Sequence, residues 1–523
     1  MADQTATPAQ VFIFVNPTAG GNRAAVYLDD LGPYPIQIRK TGLEADLWIY
    51  NIREGDSGKK EGFLQVKELS DGIKDAAEMV RVMVAGGDGT VMWALTELIK
   101  TNVDMANVAV GHIPFGTAND FSRTTGWGPT ARANLIGENK EFLIQDVRRW
   151  VYAEVKDFDV WEVDIVTAPE GQFLFVHNGK KELTENDKVQ HGLIELPEGG
   201  MRMRKPMVNY FSFGFSERAG IGFEKMRTRN RLLNNVRYGW EGTKKWLFRR
   251  PPNVSDVLQE LNIGLQEGSS EASMAGSASA TKMVDMPIHG EAIAFPSDSI
   301  VKVVGKSGDD EVDWRDLKEA QPPAEAQQPE PEAAEAPGPQ EGDQSMAGPA
   351  SQVTLRSDRS SITLDTSAEG MPRFRWNSAD LLFINIPSFA GGANPWAWSS
   401  RLAVEGHRAT SEELLCCEQD FGDGKLELLS YSSGLSIGLD AVNSKARVPG
   451  RGQGCRIASD HGPFTAQFKP PHMAKYKSPD GRVYFQIDGE FFVVTVPKTA
   501  VVRHFKTVRV LTCDMSPAGG RCC

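Results

Sequence analysis

The sequence predicts an α/β protein: an N-terminal three-layer α/β domain, then a β-sandwich accessory domain that carries a disordered acidic insert. Three observations lead there. Apolar runs, glycine-rich loops and helix-like stretches succeed one another three times in the N-terminal part. After Trp376 the pattern changes to short β-like runs separated by Pro- and Gly-rich turns. Between these parts lies a stretch whose composition cannot build a core.

The first unit is the run VFIFV at residues 11–15, apolar and β-branched or aromatic throughout, as in a buried strand. It stops at Asn16-Pro17, and Gly20-Gly21 precede a helix-like stretch from Arg23. The second unit is Val80–Val84, then Ala85-Gly86-Gly87-Asp88-Gly89-Thr90, then a helix from Val91 to Ile99. The third runs Val108–Val110, then Pro114-Phe115-Gly116-Thr117-Ala118-Asn119-Asp120-Phe121. Three strand–loop–helix units imply a largely parallel sheet, and loops at the carboxyl ends of such strands form the usual ligand crevice.

The middle of the chain is divided by charge. From Arg202 to Arg250 thirteen Lys/Arg face three acids, with Ile221, Met226, Leu233, Val236 and Trp240 roughly at helical spacing. Such a segment is either a basic amphipathic helix suited to an anionic membrane or a packed helix with a solvated basic face. From Ser307 to Ala350 twelve acids face Arg315 and Lys318, with seven prolines, which predicts disorder. With the Ser/Ala/Gly run at Ser269–Thr281 and the serines at Ser357–Ser361, the insert is bounded at residues 252–375.

Beyond it the predicted strands are Leu381–Ile386, Leu426–Ser430, Leu435–Leu439, Thr465–Phe468, Val483–Ile487, Phe491–Val496 and Val508–Thr512. Asp488-Gly489 between VYFQI and EFFVV is a strong hairpin signal. Aspartate simply suits that turn; alternatively, Asp488 and Glu490 project from its end as working carboxylates.

Composition narrows the function classes. The chain of 523 residues carries a net charge of −12, with 57 Lys+Arg against 69 Asp+Glu, which argues against a general nucleic-acid binder. The acidic stretch alone accounts for −10 of it, so the remainder is close to neutral. Six cysteines without a C-x-x-C pair offer no zinc module and no disulfide scaffold. Cys522-Cys523 is read as a pair of exposed thiols, with lipid attachment as the alternative. No apolar run is long enough to span a bilayer, and MADQTATPAQ lacks the build of a secretory signal. The expectation is a cytoplasmic protein, peripherally associated with membrane.

The glycine loops carry the chemistry. Without Cβ atoms the backbone can turn sharply and bring its N–H groups close to phosphate oxygens, and Thr90 and Thr117 add hydroxyl donors. Asp88 cannot cradle phosphate directly, because like charges repel. It suits a magnesium ion, or acceptance of a nucleophile's proton. Gly305-Lys306-Ser307 and Gly58-Lys59-Lys60 imitate the end of a Walker A loop, but Ile300 and Arg53 stand where it needs glycine.

These residues resemble a family. The order VNPTAGG (Val15–Gly21), VAGGDGTVMW (Val84–Trp93) and IPFGTANDFSRTTGWG (Ile113–Gly128) is similar to the catalytic domain of eukaryotic-type diacylglycerol kinases. MVNYFSFG (Met207–Gly214), FEKMR (Phe223–Arg227), INIPSFAGGANPW (Ile384–Trp396), DGKLELLS (Asp423–Ser430) and QIDGEFF (Gln486–Phe492) resemble its accessory domain. The GGDGT loop alone is shared with sphingosine, ceramide and NAD kinases. Two departures stand out. The resemblance begins within about ten residues of Met1, without the regulatory modules of animal relatives, and Ala118 stands where relatives often have glycine. Alanine fits only if its φ is negative.

The resemblance implies a nucleotide-binding catalytic domain at residues 10–150, an accessory domain at 151–251 and 376–512, and the insert at 252–375. It implies ATP-dependent phosphorylation of the primary hydroxyl of diacylglycerol in membranes, giving phosphatidic acid and ADP, with ATP and Mg2+ as cofactors. Sphingosine or ceramide kinase, and a lipid- or nucleotide-binding regulator without turnover, are the alternatives. Asn16, Gly20, Gly21, Gly86, Gly87, Gly89, Thr90, Gly116, Thr117 and Asn119 would hold the nucleotide. Asp88, Asp120 and Glu490 would organise Mg2+. Asp488, or Asp88 if the hairpin aspartate only makes its turn, would take the hydroxyl proton.

Overall fold

A computed structural model describes residues 7–29, 31, 34–74, 78–177, 180–224, 254–263, 362–365, 379–398, 419–431, 455–459, 463–474 and 481–513. The expected strand Leu435–Leu439, the segment 225–250, the acidic stretch Ser307–Ala350 and Cys522-Cys523 lie outside the described residues.

The N-terminal part runs β1 (Ala9–Val15), a turn α1 (Ala19–Asn22), β2 (Ile36–Lys40), β3 (Leu43–Asn51), α2 (Glu61–Asp71), β4 (Val80–Gly86), α3 (Asp88–Lys100), β5 (Val108–Pro114), α4 (Asp120–Thr124) and α5 (Glu141–Val151). Strands β3, β1, β4 and β5 lie side by side and parallel. Alternate residues of each strand face opposite layers. Phe12, Phe14, Val82, Val84, Val108 and Val110 pack with residues of α2 and α3 on one face. Val11, Ile13, Val15, Met83, Ala85, Ala109 and Ile113 pack with α5 on the other. Both faces of the sheet are covered, which explains the unbroken apolar runs.

The second part runs β6 (Glu154–Thr167), β7 (Phe173–His177), β8 (Lys180–Glu182), α6 (Glu185–His191), β9 (Ile194–Glu195), β10 (Met201–Met207), β11 (Tyr210–Gly214) and α7 (Phe215–Glu224). It continues with β12 (Leu258–Ile263), β13 (Ile362–Asp365), β14 (Asp380–Ile384), β15 (Leu426–Tyr431), β16 (Cys455–Ser459), β17 (Phe464–Phe468), β18 (Arg482–Ile487), β19 (Glu490–Thr495) and β20 (Pro497–Thr512). One sheet has the order β16-β15-β14-β11-β18-β19-β7-β8 among the described residues. Its Phe211, Phe213, Leu381, Phe383, Phe485 and Val494 meet Trp161, Val163, Met203, Leu261, Phe464 and Val502 of the other sheet in one apolar core. This is the sandwich.

Three features differ from the sequence reading. First, β20 is sixteen residues long, pairs with β6 along its length and adds parallel to β5, so the last described strand extends the first sheet. Only Val508–Thr512 is read from sequence, because the preceding Val501–Lys506 alternates with charged residues. Second, β12 pairs with β13 and β17, so both ends of the stretch read as insert contribute strands. Their alternation is too short to stand out beside the low-complexity run. Third, within the stretch read as basic helix, Met201–Met207 is a strand and only Phe215–Glu224 is described as helix. Arg202 and Arg204 of that strand pair with Asp164 across the ladder.

Asn385 fastens the sandwich to the parallel sheet. It is fully buried, accepts from the Trp161 indole N–H (2.8 Å), and donates to the Asp159 and Val208 carbonyls (2.7 Å each). Replacing it with leucine would orphan all three buried groups at once. The Asn385→Leu variant should lose about 3–5 kcal/mol in urea unfolding, from roughly 1–3 kcal/mol per unsatisfied group; a loss under about 1 kcal/mol would contradict this role.

Candidate active site

The loops that follow β1, β4 and β5 lie at the carboxyl ends of adjacent parallel strands, and here the predicted glycines come together. Gly86 ends β4 and Gly87 caps α3. A Cβ on Gly116 would sit 2.7 Å from the Gly87 Cα and 2.6 Å from Asn119 Oδ1. The two loops therefore touch through bare backbone, and only glycine fits there. Gly20 and Gly21 hold left-handed conformations (φ 61° and 69°). Gly89 is exposed and a Cβ there would meet nothing within 4 Å, so its value is open room rather than packing. Ala118 is not among the positive-φ residues; Asn119 takes the left-handed position instead (φ 52°), a conformation asparagine tolerates.

The polar residues around these loops form a network. Asn16 donates to Thr90 Oγ1 (3.4 Å) and accepts from Thr18 Oγ1 (3.1 Å) and Arg53 Nε (3.1 Å). Arg53 also donates to Thr18 Oγ1 (2.8 Å). This half-buried guanidinium, two residues past β3, is a functional candidate that the sequence reading passed over. Its signal was its place at the carboxyl end of a strand. Thr117 is half-buried in its loop. Asn119 is fully buried and donates to the Gly116 and Pro129 carbonyls (2.8 Å each), so it braces the loop from within.

Asp88 is the half-buried carboxylate of the first lobe. Its Oδ1 accepts from the Phe121 N–H (2.9 Å) and its Oδ2 from the Asp120 N–H (3.2 Å), capping the start of α4 across the loop crossing. Burial raises its pKa against the pull of these backbone donors. Asp120 points the other way. It is fully buried, and its carboxylate accepts from Ser388 Oγ (2.6 Å), the Gly391 N–H (2.9 Å) and the Tyr210 hydroxyl (3.3 Å). Burial and the neighbouring Asp88 charge push its pKa up to about 6, with Ser388 and Gly391 opposing.

The hairpin aspartate makes its turn. Asp488 has φ 48° and Gly489 φ 85°, as Asp-Gly hairpins require. Its carboxylate accepts from the N–H groups of Val208 (2.9 Å), Asn209 (2.8 Å) and Tyr210 (3.0 Å). Burial pushes it up to about 6 against those donors. Asp88, Asp120 and Asp488 converge on Tyr210: burial first, then these three charges, raise the phenol pKa well above 10. Tyr210 is a second residue that sequence reasoning missed, its hydroxyl hidden in an apolar-looking motif. Glu490 does not join them. Its carboxylate is ion-paired with Lys205 and lies 3.4 Å from His191 Nδ1. Burial raises its pKa, but Lys205 and His191 outweigh that and hold it low.

Comparisons with known proteins now have a geometry to meet. The family model of the diacylglycerol kinase catalytic domain matches residues 10–143, and that of the diacylglycerol kinase accessory domain matches residues 206–295 and 342–491. The chain belongs to the diacylglycerol kinase family. Diacylglycerol kinase 3 of Arabidopsis thaliana is 27% identical over 263 residues, covering 46% of this chain and 50% of that protein. Diacylglycerol kinase iota of Homo sapiens is 26% identical over 264 residues, covering 49% of this chain and 20% of that protein. The chain thus spans half or less of the length of these relatives. A crystal structure of a diacylglycerol kinase from Bacillus anthracis str. Sterne is similar at 11% identity, with 97% of each chain covered and a TM-score of 0.35. No helix among the described residues is long and apolar enough to cross a membrane.

The raised carboxyls give this junction a pH signature. Asp120 and Asp488 bind protons more tightly in the native state (pKa about 6) than at the ordinary 3.8 of an unfolded chain. Between about pH 4 and 6 the native state holds more protons, so stability falls as pH rises through that window. Asp120→Asn removes one such group. Its urea stability should change less between pH 5 and 7.5 than that of the wild type; an unchanged slope would contradict the burial of this charge.

Proposed function

We propose that the chain transfers the γ-phosphoryl group of ATP to the primary hydroxyl of 1,2-diacylglycerol, giving phosphatidic acid and ADP. The observation that carries this reading is the crossing of two glycine loops at the ends of β4 and β5, with the half-buried Asp88 carboxylate fixed at the crossing. Phosphoryl transfer asks the protein mainly for positioning and for neutralisation of charge. Backbone N–H groups at Gly87 and Gly89, the Thr90 and Thr117 hydroxyls, and the Asn16–Arg53 pair supply donors around one volume. Gly20, Gly21, Gly86 and Gly116 give the backbone its close approach, and Asn119 keeps the third loop in shape.

The donor set fits a magnesium ion held chiefly by nucleotide phosphates and water, the usual arrangement for this ion. Among the described residues no cluster of three His, Cys, Asp or Glu side chains forms an all-protein cage. Asp88 would be the protein ligand, since Asp120 is committed to Ser388 and Gly391 and Glu490 to Lys205. Bound there, the ion would neutralise charge on the transferring phosphoryl group.

Asp88 is also the proton acceptor in this scheme, because Asp488 gives its carboxylate to three backbone N–H groups and Asp88 to two. The lipid hydroxyl proton passes to Asp88, the hydroxyl oxygen bonds to the γ-phosphorus, and the bond to the β–γ bridging oxygen breaks to release ADP. Because diacylglycerol resides in membranes, the protein must dock on them, through a surface whose basic residues gain roughly 1 kcal/mol each near anionic lipid. Segment 225–250, outside the described residues, holds nine of the thirteen basic residues counted from Arg202 to Arg250.

The decisive experiment incubates radiolabelled ATP with diacylglycerol, sphingosine or ceramide in mixed micelles. Label should appear in phosphatidic acid, and label confined to a sphingoid product would overturn the substrate assignment. Asp88→Asn should lower turnover on the order of 100-fold or more, as removal of a transition-state partner does. Activity within a few-fold of wild type would show that Asp88 has neither role.

A further inference from the structure

His112 is used nowhere in this scheme, yet it lies directly beneath the nucleotide loops. It sits in β5, opposite Val84 of β4, and is 1% exposed. Its ring is 6.0 Å from that of Phe121 in α4, and its Nε2 lies 2.9 Å from the Gly86 carbonyl oxygen. A carbonyl can only accept, so Nε2 carries the proton. Nδ1 is buried without a hydrogen-bond partner. Burial, opposed by the Gly86 carbonyl, lowers the ring's pKa to about 4, so the imidazole is neutral. An orphaned buried nitrogen costs stability that an apolar side chain would not. The N–H to Gly86 is the feature that an apolar residue could not supply.

The Gly86 carbonyl also accepts from the Phe115 N–H (2.7 Å), so two donors converge on the last carbonyl before the loop. The peptide that follows joins two glycines, the linkage whose orientation the side chains restrain least. In a trans peptide the N–H points opposite to the C=O. A carbonyl held toward His112 therefore turns the Gly87 N–H away from the sheet interior, at the N-terminus of the thirteen-residue helix α3. Amide groups at such a terminus are natural donors to phosphate.

We propose that His112 is a positioning residue for the nucleotide: its Nε2–H holds the Gly86–Gly87 peptide in the orientation that presents the Gly87 N–H to the phosphates of ATP. This rests on the phosphotransfer reading above. His112 touches no substrate; it acts through the backbone.

Two variants of the full chain test it, His112→Gln and His112→Met. The side chains are nearly equal in length and shape, so a packing loss is common to both, and only glutamine keeps an N–H near the position of Nε2. ATP affinity is measured by calorimetry with Mg2+, alongside kcat and KM for ATP and lipid, and thermal unfolding monitors the fold. The methionine variant should bind ATP about tenfold more weakly than the glutamine variant and show a correspondingly higher KM for ATP. The lipid KM should not change, and the glutamine variant should stay within about threefold of wild type. Equal ATP affinity in the two variants would overturn the inference while leaving the phosphotransfer reading intact. If the wild-type chain binds no ATP, the reading itself falls, and this inference with it.

Discussion

The bond between the Asp88 carboxylate and the first N–H groups of α4 joins two loops that arrive from neighbouring strands. At the crossing, Gly87 and Gly116 meet backbone to backbone, in a space that a single Cβ would fill. Asp88 bonds across the crossing to the start of α4, the Phe115 N–H donates to the Gly86 carbonyl, and the buried Asn119 amide braces its own loop at Gly116 and Pro129. The same restraint that fixes the loops also orients a carboxylate beside donors suited to phosphate. Structure and chemistry here use one set of bonds.

That arrangement is tied to the second part of the chain by buried charge. Asp120 follows Asn119 directly and turns its carboxylate toward Ser388, Gly391 and Tyr210, all from the sandwich side. Asp488, from a hairpin of the sandwich, secures the backbone on which Tyr210 stands. Isolated, such carboxylates would be costly to bury. Each is surrounded by N–H or O–H donors, and the remaining cost appears as raised pKa values. The long strand β20 completes the connection by pairing with both β5 and β6. The glycine loops and the accessory sandwich therefore share a sheet and a polar junction.

Much of this was legible in the sequence. The runs at β1, β4 and β5 are apolar on both faces, and glycines follow them where the strands end, so the parallel sheet and its loops could be read directly. The Asp488-Gly489 turn was equally plain, because its positive φ values demand such residues. What could not be read was the destination of each side chain. Nothing local separates Asp88, open to the loop side, from Asp120, buried toward Ser388, since that difference arises from residues more than 250 positions away. Glu490 reads as a partner of Asp488 but is neutralised by Lys205, a contact between strands of different sheets that is invisible in one dimension. Arg53 and Tyr210 were missed for the same reason: their neighbours come from other elements. The strand β13 alternates in period two and β6 and β12 only in part, and charged residues and low complexity obscured them.

The central claim is that the loops after β4 and β5 form one phosphate-binding surface. Amide hydrogen exchange of the full chain, with and without ATP and Mg2+, tests it most directly. Protection on adding nucleotide should rise together in the backbone around Gly86–Val91 and Gly116–Phe121, with little change in the hairpin at residues 482–495. Protection of neither loop, or of one without the other, would contradict the account.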